Sequence, residues 1–155
     1  MSVDAFNDLM SRVAAAIGDD ALDDALADKL NAMFPEGGED FHMLAGLCEA
    51  GEAEGWLCAR EHGGIKFGRP IKPETHAGKF SVDVVRMKDI AGPHHVHTTG
   101  EIGAIIPVNG DPKFDGFAAG WYVYGPGSDH HPTVTGGDAY VVYLLPQGAI
   151  EFTGR

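Results

Sequence analysis

Gly92-Pro93-His94-His95-Val96-His97-Thr98-Thr99-Gly100-Glu101 carries the densest chemistry of the chain and sets its expected fold. In an extended strand, residues two apart face the same side. His95 and His97 can therefore offer imidazole nitrogen to one ion while His94 and Val96 face away. Glu101 follows a short Thr-Thr-Gly turn, at the start of the next expected strand, where its carboxylate can close the same sphere. Five of the eight histidines fall within residues 94–131, and the second His segment, Gly127-Ser128-Asp129-His130-His131, offers a further donor. A glycine turn ahead of His130 can swing that side chain back toward an interior. Three imidazoles and one carboxylate leave open positions on an octahedral divalent ion. A register different by one residue would bring in His94 or His131 instead.

Outward from these segments, residues 56–155 alternate apolar and polar positions, with Gly, Pro, Asn or Asp at most joints. Strands are expected over 56–60, 80–88, 94–97, 101–107, 113–117, 121–125, 131–134, 139–145 and 149–152, with Asn109-Gly110 as a tight turn. Many short strands at close spacing predict a sandwich or barrel. The stretch 63–79 reads as a long loop closing one end of it.

Residues 1–55 differ in kind. They hold thirteen acidic side chains against Arg12 and Lys29, whereas residues 56–155 hold ten against nine, so most of the net charge of −12 lies in the first third. Helical spacing of Phe6, Leu9, Met10, Val13 and Ile17 predicts a first helix capped by Ser2 and stopped by Gly18. A second is expected from Asp19 or Asp20 to just before Pro35, and a third from about Glu39 to Ala50, closed by Gly51. The chain thus divides into an acidic helical extension, 1–55, and a β-barrel, 56–155. The net charge argues against nucleic acid and anionic membranes as partners. Two isolated cysteines and an N-terminus without an apolar run fit a reduced, cytoplasmic setting.

The first His segment resembles the first motif of the cupin superfamily, which reads His-x-His, three or four residues, then Glu. Gly120-Trp121-Tyr122-Val123-Tyr124-Gly125-Pro126-Gly127-Ser128-Asp129-His130 is similar to the second motif, whose single His completes a metal set. The resemblance implies a mainly β fold, a double-stranded β-helix or jelly-roll barrel. It also implies a divalent ion (Fe, Mn, Zn or Ni) held by His95, His97, Glu101 and His130. Asp89 stands where the first motif opens with Gly, and Val134 replaces the usual Asn of the second.

A narrower resemblance covers most of the chain, through Phe67-Gly68-Arg69-Pro70-Ile71-Lys72-Pro73, Phe80 to Met87, the His segment, and Pro132-Thr133-Val134-Thr135-Gly136-Gly137 through Phe152. These segments resemble the small bacterial 4-hydroxylaminobenzoate lyase family. That resemblance implies conversion of a hydroxylamino-aromatic acid to a catechol acid with release of ammonia. His97 and Glu101 are then the expected catalytic residues. The alternatives are an Fe(II) cupin dioxygenase for a small aromatic or organic acid, and a non-catalytic binding cupin.

For an aromatic acid, four residues are candidate contacts. Phe80, Val82 and Val84 read as inward, which carries Arg86 inward too, toward a ligand carboxylate or a protein acid such as Asp83 or Glu101. Arg69 and Lys72 can guard the entrance, and Tyr124 is the aromatic chosen for the pocket. Exposed strand edges lead to an expected homodimer.

Overall fold

A computed structural model describes residues 2–155. Three helices come first: α1 (Ser2–Ile17), α2 (Asp24–Met33) and α3 (Glu39–Glu54). Nine strands follow: β1 (Arg60–His62), β2 (Ile65–Ile71), β3 (Phe80–Ala91), β4 (His95–His97), β5 (Glu101–Phe114), β6 (Gly120–Tyr124), β7 (Ser128–His130), β8 (Thr133–Pro146) and β9 (Glu151–Phe152). They form a six-stranded sheet in the order β1-β2-β3-β8-β5-β6 and a three-stranded sheet in the order β7-β4-β9, with every pairing antiparallel. The small sheet faces the large one across a cavity. This two-sheet antiparallel arrangement is the cupin jelly roll.

The helix boundaries follow from local chemistry. Ser2 lies inside α1, where its hydroxyl donates to the Glu54 carboxylate rather than capping. The start of α2 is later than Asp19 or Asp20, because Asp23 has the extended backbone of a cap and its side chain accepts from the Leu26 amide at 3.1 Å. Gly51 does not close α3. The helix runs on to a left-handed Gly55, and the Trp56 and Leu57 amides fold back onto the Gly51 carbonyl, which keeps 56–59 out of a strand.

Two expectations about the strands also change, and one departure from the motif is explained. Residues 65–71, read as loop, form β2, whose register slips between Gly68 and Ile71 where Pro70 has no amide to give. Asn109-Gly110 is not a turn: β5 runs through it against Asp138 and Gly137, with register shifts on either side. Asp89 has φ 45°, so a left-handed residue does stand where the cupin motif has Gly; its carboxylate accepts the Gly136 amide at 2.7 Å and bridges the slip in β3.

Both faces of the large sheet are covered. Val82 and Val84 of β3, Ile102 and Ala104 of β5, and Tyr140 and Val142 of β8 join Phe6, Leu9, Leu30 and Leu44 in a core between sheet and helices. The alternate residues, including Met87, Ile105 and Val141, face the barrel interior. The inward face of β3 is therefore the Asp83, Val85, Met87 set, the reverse of the expectation, because burial on both sides removes the polar alternation that tells faces apart. Asn31 of α2 brackets Trp121 on the edge strand β6, accepting from its amide at 2.9 Å and donating to its carbonyl at 3.2 Å.

Two glycines of α3 give opposite expectations. A Cβ at Gly46 meets nothing within 4 Å, whereas one at Gly51 would lie 2.7 Å from the Trp56 ring and 2.9 Å from Leu57 Cβ. Gly46→Ala should stabilise the protein by about 1 kcal/mol, and Gly51→Ala should destabilise it by about 1–3 kcal/mol. Urea unfolding of both variants checks the difference in sign.

Candidate metal centre

Antiparallel pairing of β4 with β7 sets His95 opposite His130, and the period of two puts His97 on the same face. The turn after β4 is tight: the Gly100 amide returns to the His97 carbonyl at 3.1 Å, with Gly100 at φ 93°. It delivers Glu101 at the first residue of β5. The three Nε2 atoms lie 3.0 Å (His95 to His97), 2.9 Å (His95 to His130) and 3.0 Å (His97 to His130) apart, and Glu101 Oε1 lies 3.1 Å from His97 Nε2. One donor atom from each of the four falls within 4.8 Å of the others.

Hydrogen bonding on the far side of the rings turns their donor atoms toward one point. His95 Nδ1 faces the Pro93 carbonyl at 3.2 Å, which can only accept, so the ring proton sits there and Nε2 keeps its lone pair. His130 Nδ1 donates to Asp115 Oδ2 at 2.5 Å, with the same result. Two lone pairs thus face each other at 2.9 Å, and one proton on His97 Nε2 can satisfy only one of them. A cation satisfies all three. Adjacent corners of an octahedron with bonds of about 2.1 Å lie about 3.0 Å apart, against about 3.4 Å for a tetrahedron. The observed spacing brings the donors close enough to share one ion, and the four residues can hold a divalent metal ion.

Electrostatics agree. Burial pushes His95 down to about 4 and His97 down to about 3, so both rings are neutral at pH 7. Burial pushes the Glu101 carboxyl up to about 7, against the hydrogen bond that its Oε2 accepts from the Tyr122 hydroxyl at 2.6 Å. Tyr122 reaches that position because residue 103 is glycine: a Cβ there would sit 2.2 Å from the Tyr122 ring. Asp115 is held below the usual carboxylate range although burial raises it, because His130, Tyr124 and the Thr133 amide all donate to it.

Asp115 and Tyr122 carry no sequence signal of this role. Asp115 precedes a glycine in a turn and has φ 50°, and Tyr122 is one of several alternating aromatics; only the folded sheet points them at His130 and Glu101. Of the other histidines, His94 bonds Thr153 and Asp129, and His131 faces the Gly92 carbonyl, both away from the cluster.

The cluster stands at the wall of a cavity of about 240 Å³, where His95, Glu101 and His130 are joined by an apolar lining that includes Phe67, Val85, Met87 and Val141. The expected substrate contacts lie elsewhere. Arg86 faces the helices, not the cavity: it donates to Asp138 at 2.8 Å and to Glu52 of α3 at 2.6 Å. Arg69 donates to Asp83 at 2.7 Å and to the Gly148 carbonyl at 3.1 Å. Lys72 is exposed just past β2. Tyr124 stacks on His97, with ring centroids 6.4 Å apart, and gives its hydroxyl to Asp115 behind the cluster.

A family model described as "PnbB: 4-hydroxylaminobenzoate lyase" matches residues 8–152. A 4-hydroxylaminobenzoate lyase of Nocardioides sp. (strain LMS-CY) is 29% identical over 160 residues, covering 97% of this chain and 90% of that protein. One of Pseudomonas putida is 28% identical over 140 residues, covering 79% of this chain and 80% of the relative. Among solved structures, an oxalate oxidase in complex with the substrate analogue glycolate aligns with TM-score 0.45 and 20% identity, over 60% of this chain and 57% of that one.

Three outcomes follow from the geometry. A divalent ion at about 100 times its Kd should stabilise the fold by about 2.7 kcal/mol, or about 5–10 °C in Tm, and chelation should reverse it; calorimetry with and without chelator reads this. In metal-free protein the contribution of His95 and His97 is present above about 6.5 and lost as pH falls through about 4 and about 3, so the urea midpoint should drop across that window. Arg86→Met, which leaves Asp138 without its partner and Glu52 with only Lys66 and the Tyr140 hydroxyl, should cost about 2 kcal/mol while metal content by elemental analysis stays at the wild-type level.

Proposed function

Because this chain belongs to the 4-hydroxylaminobenzoate lyase family, we propose that it converts 4-hydroxylaminobenzoate to 3,4-dihydroxybenzoate and ammonia, with His95, His97, Glu101 and His130 as ligands of a divalent ion. The observation that carries this reading is the convergence of three imidazole lone pairs and a carboxylate on the wall of a cavity whose other walls suit a flat benzenoid ring. The conversion takes up one water and releases one ammonia, so it needs no external oxidant or reductant.

A bound divalent ion, Fe, Mn, Zn or Ni, supplies Lewis acidity at the hydroxylamino oxygen. The chain itself contributes position and proton control. Asp115 fixes the His130 ring, and Pro93 fixes His95, which keeps both Nε2 atoms as donors toward one point. Tyr122 holds one oxygen of Glu101, leaving the other free to face the cavity side. A carboxyl pushed up to about 7 exchanges protons readily at neutral pH, which suits Glu101 to a departing hydroxyl or an entering water if it works without metal. The apolar lining keeps bulk water from the ring. A reduced, cytosolic setting is part of the same reading: Cys48 and Cys58 are both buried free thiols.

Metal-loaded protein given 4-hydroxylaminobenzoate should release ammonia and a dihydroxybenzoate in equal amounts without consuming oxygen. Oxygen uptake would point to a dioxygenase, and no turnover to a binding protein. His97→Ala should lose the metal and at least about 100-fold in kcat/KM; a variant with full metal content would refute the ligand set. Activity that survives exhaustive chelation would leave the proton transfer to Glu101 alone.

A further inference from the structure

The four tyrosines of the barrel divide unevenly. Three give their hydroxyls to carboxylates: Tyr122 to Glu101 at 2.6 Å, Tyr124 to Asp115 at 2.7 Å, and Tyr140 to Glu52. Tyr143 also lines the cavity, and among the described residues its half-buried side chain makes no such bond to a carboxylate or to any other group.

Its place in the sheet is fixed by register. Tyr143 of β8 stands opposite Gly103 of β5 and opposite Asp83 of β3, and Gly103 stands opposite Tyr122 of β6. A single row across the inner face therefore runs Tyr122, Gly103, Tyr143, Asp83. Glu101 lies two residues from Gly103 on the same face and also lines the cavity, so it is the diagonal neighbour of Tyr143, with backbones roughly 7–8 Å apart. Gly103 contributes no side chain between the two hydroxyls, and the bulk of Tyr122 leans over it toward Glu101. On the other side Asp83 is already occupied by Arg69. Tyr143 thus projects into the lumen beside the metal-binding wall with its polar end unspent, among Phe67, Val85, Met87 and Val141.

A hydroxyl that faces a cavity with no protein partner, in a wall otherwise apolar, is free to meet a polar group of a ligand that enters. We infer that Tyr143 is a substrate-binding residue whose hydroxyl hydrogen-bonds the polar substituent at the 4-position of a benzoate-class ligand, on the side of that substituent away from Glu101. The inference rests on the lyase reading for the ligand class and on the cavity and register for the residue. A phenol is suited to both ends of the reaction, since its O–H can donate to a hydroxylamino oxygen and its oxygen can accept from a ring hydroxyl of the product.

The test compares Tyr143→Phe with wild type, both loaded with a divalent metal, by calorimetric titration of 4-hydroxybenzoate and of benzoate. The variant should bind 4-hydroxybenzoate about tenfold more weakly and benzoate unchanged, with metal content and Tm at wild-type values. An equal loss for both ligands would make Tyr143 a packing residue, and no loss for either would also overturn the inference. On unmodified protein, 4-hydroxybenzoate should bind about tenfold more tightly than 4-methylbenzoate. Equal affinities, or no binding of either, count against the inference and do not depend on the variant folding. If wild type shows no lyase turnover but the binding pattern holds, the reaction is wrong and Tyr143 stands. If wild type turns over and the variant matches it in both kcat and KM, the reaction stands and Tyr143 falls.

Discussion

Three imidazole nitrogens held within 3.0 Å of one another, two of them with their lone pairs fixed by bonds on the opposite side of the ring, repel unless a cation lies among them. The barrel is built around that strained convergence. β4 supplies two of the rings by period, β7 supplies the third by register, and Asp115 and the Pro93 carbonyl keep the rings turned so that one proton on His97 Nε2 can meet only one of the two facing lone pairs. Burial then holds His95 and His97 neutral, which suits metal binding and opposes protonation.

The helices matter to this site although none of their residues reaches it. A six-stranded sheet that must present one face to a cavity needs its other face covered, and α1, α2 and α3 cover it with Phe6, Leu9, Leu30 and Leu44. The acidic character of α3 is partly spent there: Glu52 takes Arg86, Lys66 and the Tyr140 hydroxyl together, tying helix to sheet through a half-buried network. Arginine at 86 belongs to that joint. Asn31 serves β6 in a similar way by completing the hydrogen bonds of an edge strand.

Inside the barrel, polar side chains are sparse and most are committed to one another. Tyr122 goes to Glu101, Tyr124 to Asp115, Asp83 to Arg69. Such pairing fixes rotamers around the cluster and leaves the remaining wall apolar, which favours a flat ring over a charged or strongly hydrated ligand. No arginine or lysine lines the cavity among the described residues.

Much of this was legible in residue order. His95, Val96, His97 and Glu101 are close in the chain, and strand period and one short turn suffice to bring their donors together; the helical stripes of residues 2–54 are likewise local. β2 was hidden because Gly68 and Pro70 read as loop, and the Asn109-Gly110 pair imitates a turn inside a long bulged strand. The direction of Arg86 was not readable, because β3 is apolar on both faces and period two then gives two equal answers. The sequence by itself determined the class of fold and the identity of the metal-capable residues, since both rest on periodicity and short spacing. Only the tertiary structure decided what surrounds them: Asp115 on His130, Tyr122 on Glu101 and Tyr143 free in the cavity arise from pairings between distant strands, and register across a sheet is set by the packing of the whole barrel.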